Sequence, residues 1–178
     1  RRARCATMSD LRVRDERPGD EPAVHAVQAA AFGRADEADL VDRLRAEARP
    51  MLSLVAEREG RIVGHVFLSP VTIGRDPDAP SFGGLAPLGV LPEEQGRGIG
   101  SLLVRAGLER SAALGWKAVF LVGDPGYYAR SGFVLAAPHG FRYRSEAFDP
   151  VLQVAVLEPG ALDGIAGEVV YHPALANG

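Results

Sequence analysis

Gln95-Gly96-Arg97-Gly98-Ile99-Gly100-Ser101 is the stretch on which the rest of this sequence turns. Glycine at every second position strips side chains from a short loop. The apolar run Leu85 to Leu91 enters the loop as a strand, and Ser101 to Leu114 leaves it as a helix. The start of such a helix exposes backbone N–H groups, and its dipole favours negative charge there. A diphosphate fits that place, and Arg97 can add a charge-assisted hydrogen bond to a phosphate oxygen. Two common phosphate loops are excluded. Walker A needs a Lys that does not follow Gly100. The dinucleotide fingerprint needs Gly-x-Gly-x-x-Gly near a first strand, and here Gly-x-Gly-x-Gly lies in mid-chain. A glycine-rich turn without chemistry stands as the alternative.

A second segment follows the apolar run Ala118 to Val122. It reads Gly123-Asp124-Pro125-Gly126-Tyr127-Tyr128-Ala129-Arg130-Ser131-Gly132-Phe133. In this order the two segments resemble the GNAT N-acetyltransferase superfamily, in its small bacterial subgroup with unassigned acceptors. Gln95, Gly98 and Gly100 fill the coenzyme A loop Gln/Arg-x-x-Gly-x-Gly/Ala. Tyr127 to Phe133 fill the pattern aromatic-Tyr-x-x-x-Gly-Phe. The resemblance runs from about Leu11 onward and is weakest after about Pro138.

The resemblance implies a mixed α/β, GNAT-like fold, with a mostly antiparallel sheet of about seven strands and helices on both faces. It implies acetyl-CoA as cosubstrate and no metal. The main chain of Leu88, Gly89 and Val90 would pair with the pantetheine arm. Gln95, Gly96, Arg97, Gly98, Ile99, Gly100 and Ser101 would cradle the diphosphate. Tyr128 matches the family tyrosine four residues before Gly132, and would protonate the departing thiolate as general acid. A phenol with an unperturbed pKa of ~10 suits that role. Simple packing of Tyr128 is the alternative. Tyr127 takes the place of an aromatic packing residue. The amine acceptor, a small molecule or peptide, would attack the thioester directly, since no cysteine is placed to carry the acetyl group. The rival is a non-catalytic acyl-CoA-binding sensor, which would keep the glycine loop without needing Tyr128. A homodimer is compatible with the family pattern.

The base that deprotonates the amine is not evident. No carboxylate lies between Leu85 and Leu91, and Glu93 and Glu94 beyond Pro92 read as solvated. His65 has the right pKa range, but a histidine inside a strand is commonly structural. Ser69 and Glu57 are weaker, and a water or an amine arriving neutral serves equally. Arg130 could touch the coenzyme but reads as solvated, and Asp124 reads as a helix N-cap. His139 and His172 share no metal-ligand spacing.

The remaining chain supports one domain over residues 8–178. Residues 1–7, with three arginines ahead of Met8, read as a tag or upstream extension, and they hold the lone cysteine, Cys5. Intrachain disulfides and cysteine zinc sites are thereby excluded, and a cytoplasmic location is expected. Net charge is −3. An acidic chain is a poor nucleic-acid binder. No apolar run approaches the ~20 residues of a membrane span. Helices are expected from Asp20, as N-cap, to Phe32 and from Asp36 to Ala48. A hairpin turning at Gly60 joins Leu52–Glu57 to Ile62–Ile73. Gly74 to Gly84 reads as turn chemistry. Leu102, Leu103, Ala106, Leu108 and Leu114 are the expected apolar face of the main helix. Strands are expected again near Phe133–Leu135, Val151–Leu157 and Glu168–Tyr171.

Overall fold

The computed structural model describes residues 10–74 and 81–176. The expected extension at 1–7, Met8, and the turns at Asp76-Pro77 and Ala79-Pro80 lie outside the described residues. The chain runs β1 (Leu11–Asp15), α1 (Glu21–Phe32), α2 (Asp36–Glu47), β2 (Leu52–Arg58), β3 (Arg61–Ile73) and β4 (Phe82–Val90). Then come α3 (Ile99–Leu114), β5 (Ala118–Val122), α4 (Pro125–Tyr128), β6 (Val134–Leu135), β7 (Phe141–Arg142), β8 (Leu152–Val156), β9 (Gly167–Val170) and α5 (Pro173–Ala176).

The main sheet has the order β1-β2-β3-β4-β5-β8-β6. Its neighbours pair antiparallel except β4 with β5. That gives the seven strands expected. Two more strands lie off this path: β9 pairs with the end of β3, and the two-residue β7 runs parallel to β9. The expected strand near Glu168 therefore extends one edge of β3 rather than completing the row.

Helices cover both faces. A Cβ on Gly64 would meet Leu103 and Ile99 of α3, while the next residue, His65, hydrogen-bonds Gln28 of α1. Successive strand residues point to opposite faces, so α1 and α3 sandwich β3. One core cluster packs the helices on β1–β4 through Val24, Leu44, Leu54 and Leu103. A second gathers Phe82, Phe120, Phe141 and Val154. Among the described residues, no helix is long and apolar enough to cross a membrane.

Three local expectations are corrected. Asp20 precedes α1, but its carboxylate takes Arg14 and the Arg17 N–H instead of capping the helix. Gly83 and Gly84 belong to β4, not to a turn. Glycine is needed there because a Cβ would strike the Trp116 ring at 2.2 Å and the Tyr171 ring at 2.5 Å respectively. On α3, Leu114 is 43% exposed. The buried stripe is Ile99, Leu103, Gly107 and Ser111 with Gly100 and Val104, and Gly107 admits Leu68 of β3 against the helix.

Candidate active site

β4 and β5 touch through only two residue pairs, Gly83 with Val119 and Gly84 with Phe120. Beyond them the strands part. On the other edge of β4 the register slips: Leu85 faces Leu68 and Leu88 faces Val66, so Ala86 and Pro87 oppose the single residue Phe67. This bulge turns β4 away from β5. Pro87, which lacks an N–H, is accommodated there. Among the described residues, the splay leaves the β5-facing edge of β4 from Leu85 to Val90 without a strand partner, open to an extended ligand.

The open edge leads to the glycine loop. Gly96 (φ 73°) and Gly98 (φ 79°) adopt left-handed backbone that other residues resist. The first helical N–H bond of α3 runs from Leu102 to the Gly98 carbonyl at 3.0 Å. The N–H groups of Ile99, Gly100 and Ser101 therefore have no helical acceptor. No acidic side chain sits in this first turn, so its positive end is unopposed.

A cleft of about 440 Å³ spans the strand edge and the helix start. Leu88 and Val90 form its floor, and Gln95, Gly96, Gly98, Ile99, Gly100 and Ser101 its end. Both tyrosines of the second segment line it, with Arg130 and Glu94. Two expected site residues lie outside the lining. Gly89 faces α1, where a Cβ would meet Gln28 at 2.6 Å. Arg97 reaches Glu94 at 3.2 Å, and Glu94 is also held by Arg58. Gln95 ties the loop down, its Nε2 donating to the Val90 carbonyl at 3.1 Å.

Asp124 caps α4 as expected, its Oδ1 accepting the Gly126 N–H at 2.9 Å. The cap aims the two tyrosines. Adjacent helical residues diverge by about 100°, so they do different work. Tyr128 packs on Gly123 and stacks edge-on against Tyr127 and Phe133. Burial, and then neighbouring Tyr127, push its phenol up to about 12. It stays protonated throughout the neutral range, as a proton donor must. Tyr127 does more than pack: its hydroxyl lies over Gly100, 2.1 Å from where a Cβ would stand. Arg130 lies 5.1 Å from the Tyr127 ring and lines the cleft while exposed to solvent. The sequence signal for both was the one-residue offset of the paired tyrosines on a capped helix.

His65 is removed from the candidate bases. It is fully buried, between Gln28 Nε2 at 2.7 Å and Ser53 Oγ at 2.8 Å. Ser53 passes its own hydrogen bond to Glu16, so the direction of the chain puts the imidazole proton on Nε2. Burial, and then the charge of Arg45, push its pKa down to about 3. Glu57 is held by Arg12 and Arg14, and Ser69 is buried without a partner. A larger depression, about 580 Å³, lies at the far ends of β1 and α3, but its charged walls pair with one another, Arg45 with Glu16 and Arg110 with Asp15.

Comparison with known proteins agrees with this geometry. Residues 13–133 match the Acetyltransferase (GNAT) family. The uncharacterized N-acetyltransferase YhbS of Escherichia coli K12 is 39% identical over 162 residues, covering 90% of this chain and 95% of YhbS. A crystal structure of Escherichia coli YhbS in complex with CoA superposes with a TM-score of 0.87 at 36% identity, covering 94% of this chain and 92% of that one. A GNAT family acetyltransferase from Brucella melitensis in complex with acetyl-CoA gives 0.76 at 37% identity, covering 93% and 97%.

Proposed function

The chain belongs to the GNAT acetyltransferase family and is an N-acetyltransferase; from that premise we propose how its own residues divide the work. Residues 8–178 act as one domain that transfers acetyl from acetyl-CoA to a primary amine in a ternary complex. The pantetheine arm lies along the open edge of β4, against the main chain of Leu88 to Val90. The diphosphate sits on the N–H groups of Ile99, Gly100 and Ser101, within reach of Gln95, Gly96, Arg97 and Gly98. Tyr127 and Arg130 join the coenzyme's wall.

The amine lone pair forms the C–N bond and the C–S bond breaks. Tyr128 donates its proton to the sulfur, and the surplus proton on nitrogen returns to the phenolate. Amine and thioester thus become amide and thiol. Because burial raises the Tyr128 pKa to about 12, above the ~8.5 of a free thiol, the phenol first stabilises the developing thiolate by hydrogen bonding. Proton transfer follows as charge builds.

The observation that carries this reading is the splay itself, an unpaired β4 edge ending at an anion-ready helix start. The test is Tyr128→Phe. Turnover, read as CoA thiol release, is expected to fall about 100-fold, with acetyl-CoA affinity unchanged. Undiminished turnover refutes the role of Tyr128 and returns it to packing. The same tyrosine, lining the cleft, favours the enzyme over a coenzyme sensor.

A further inference from the structure

A second cavity, about 210 Å³, abuts the splay from the side of the second core. Ala86 of the β4 bulge and Val122, the last residue of β5, form its inner wall. Each lies two residues beyond the last β4–β5 pair, Gly84 with Phe120. Tyr143, Phe148 and Tyr171 form the outer wall. Tyr143 stacks edge-on with Phe148 at 5.0 Å and with Tyr171 at 5.2 Å. Arg144 covers the Tyr143 ring at 5.1 Å and donates to the Leu175 carbonyl at 3.2 Å. The aromatic cage is therefore already assembled.

The electrostatics of this wall are one-sided. Among the described residues, no Asp or Glu lines the cavity. Burial, and then Tyr143, push the Tyr171 phenol far up, so it carries no charge. Among the described lining residues, Arg144 supplies the one formal charge, a positive one. Glu146 and Asp149 line an adjoining cavity that shares Arg144 with this one. A ligand with a second cationic group would find the Tyr143 face already taken by Arg144, that guanidinium repelling it, and no carboxylate among the described lining residues to pair it. Size points the same way. An apolar cavity of about 150 Å³ accepts benzene, so this one holds a single ring or branched chain and a short linker.

Resting on the coenzyme reading above, we propose that the acceptor is a compact monoamine on an aromatic or branched apolar group, not a polyamine or amino sugar. The ring enters the cage of Tyr143, Phe148 and Tyr171, and the amine points past Ala86 and Val122 to the thioester. Apolar surroundings and a nearby cation both disfavour the ammonium form. The ammonium ion leaves its proton with solvent on entry, and the neutral amine attacks. No protein base is required to neutralise the ammonium, in keeping with a cleft in which Glu94, the one carboxylate among the described lining residues, is held by Arg58 and Arg97; Tyr128 takes only the proton released after attack.

The experiment compares 2-phenylethylamine and spermidine as acceptors, by CoA thiol release, in the wild type, Tyr143→Ala and Val122→Asp. Acetyl-CoA affinity is measured in parallel by calorimetry. The wild type is expected to favour 2-phenylethylamine at least ~10-fold in kcat/KM. Tyr143→Ala is expected to raise its KM ~10-fold without changing acetyl-CoA affinity. Val122 is 39% exposed, so Val122→Asp folds even if the cage variant does not, and it should narrow or reverse the preference by giving a cation its partner. Spermidine preferred by the wild type, neither amine acetylated, or a preference unmoved by Val122→Asp overturns the proposal while acetyl-CoA still binds. Failure of acetyl-CoA to bind overturns the coenzyme reading instead, and this inference with it.

Discussion

Acidification should destabilise this protein through a single buried imidazole. His65 has no exposed surface, accepts a hydrogen bond from Gln28 on Nδ1 and donates to Ser53 from Nε2. Both nitrogens are engaged by the neutral form, and burial followed by the charge of Arg45 lowers its pKa to about 3. The unfolded chain protonates the same residue near pH ~6.5. Between these values the unfolded state binds a proton that the folded state refuses. Stability attributable to His65 is therefore intact above about pH 6.5 and is lost as pH falls toward 3. Each pH unit inside that window is worth about 1.4 kcal/mol. Lowering pH from 7 to 5 crosses about 1.5 units of it, so about 2 kcal/mol should be lost. Urea unfolding at pH 7, 6 and 5 measures this, and His65→Asn is the comparator. Asn keeps an acceptor for Gln28 and does not titrate. The variant should begin about 1–3 kcal/mol less stable, from the orphaned Ser53–Glu16 end of the chain, and should lack the His65 share of the slope. Equal slopes in the two proteins would refute the argument and reopen His65 as a titrating group.

Gly83→Ala drives a methyl into the Trp116 ring, 2.2 Å away. It should cost about 1–3 kcal/mol of stability in denaturant unfolding. Gly100→Ala collides with the Tyr127 hydroxyl, the mobile end of a side chain. It should weaken acetyl-CoA binding several-fold in calorimetry while thermal stability changes little, and Gly100→Ala with Tyr127→Phe should fold as well as the single variant.

The coenzyme side of the molecule was legible because local rules write it. Gly98 in left-handed backbone, a helix at once after it, and Asp124 capping the tyrosine helix are all short-range features. Elsewhere the same residue types carried another meaning. Gly83-Gly84 has turn composition, yet those glycines are small because Trp116 and Tyr171, 33 and 87 positions onward, press on them. Asp20 has an N-cap's position but a stronger partner in Arg14. The strand expected near Phe133 is there as β6, but β7, two residues long, exists through its pairing with β9 and leaves no periodic trace. The aromatic cavity joins Ala86, Val122, Tyr143 and Tyr171, which no local pattern connects. Its richness in rings was visible between Pro138 and Pro150, but not its place at the splay.

The central claim is that the open β4 edge and the α3 start form an acetyl-CoA site. Thermal unfolding with and without acetyl-CoA tests it most directly, with Gly98→Glu placing both a side chain and a negative charge where the diphosphate is to sit. At about 100 times its dissociation constant the ligand should stabilise the wild type by about 2.7 kcal/mol, and the variant should lose that gain. A folded wild-type protein unmoved by millimolar acetyl-CoA would contradict the account.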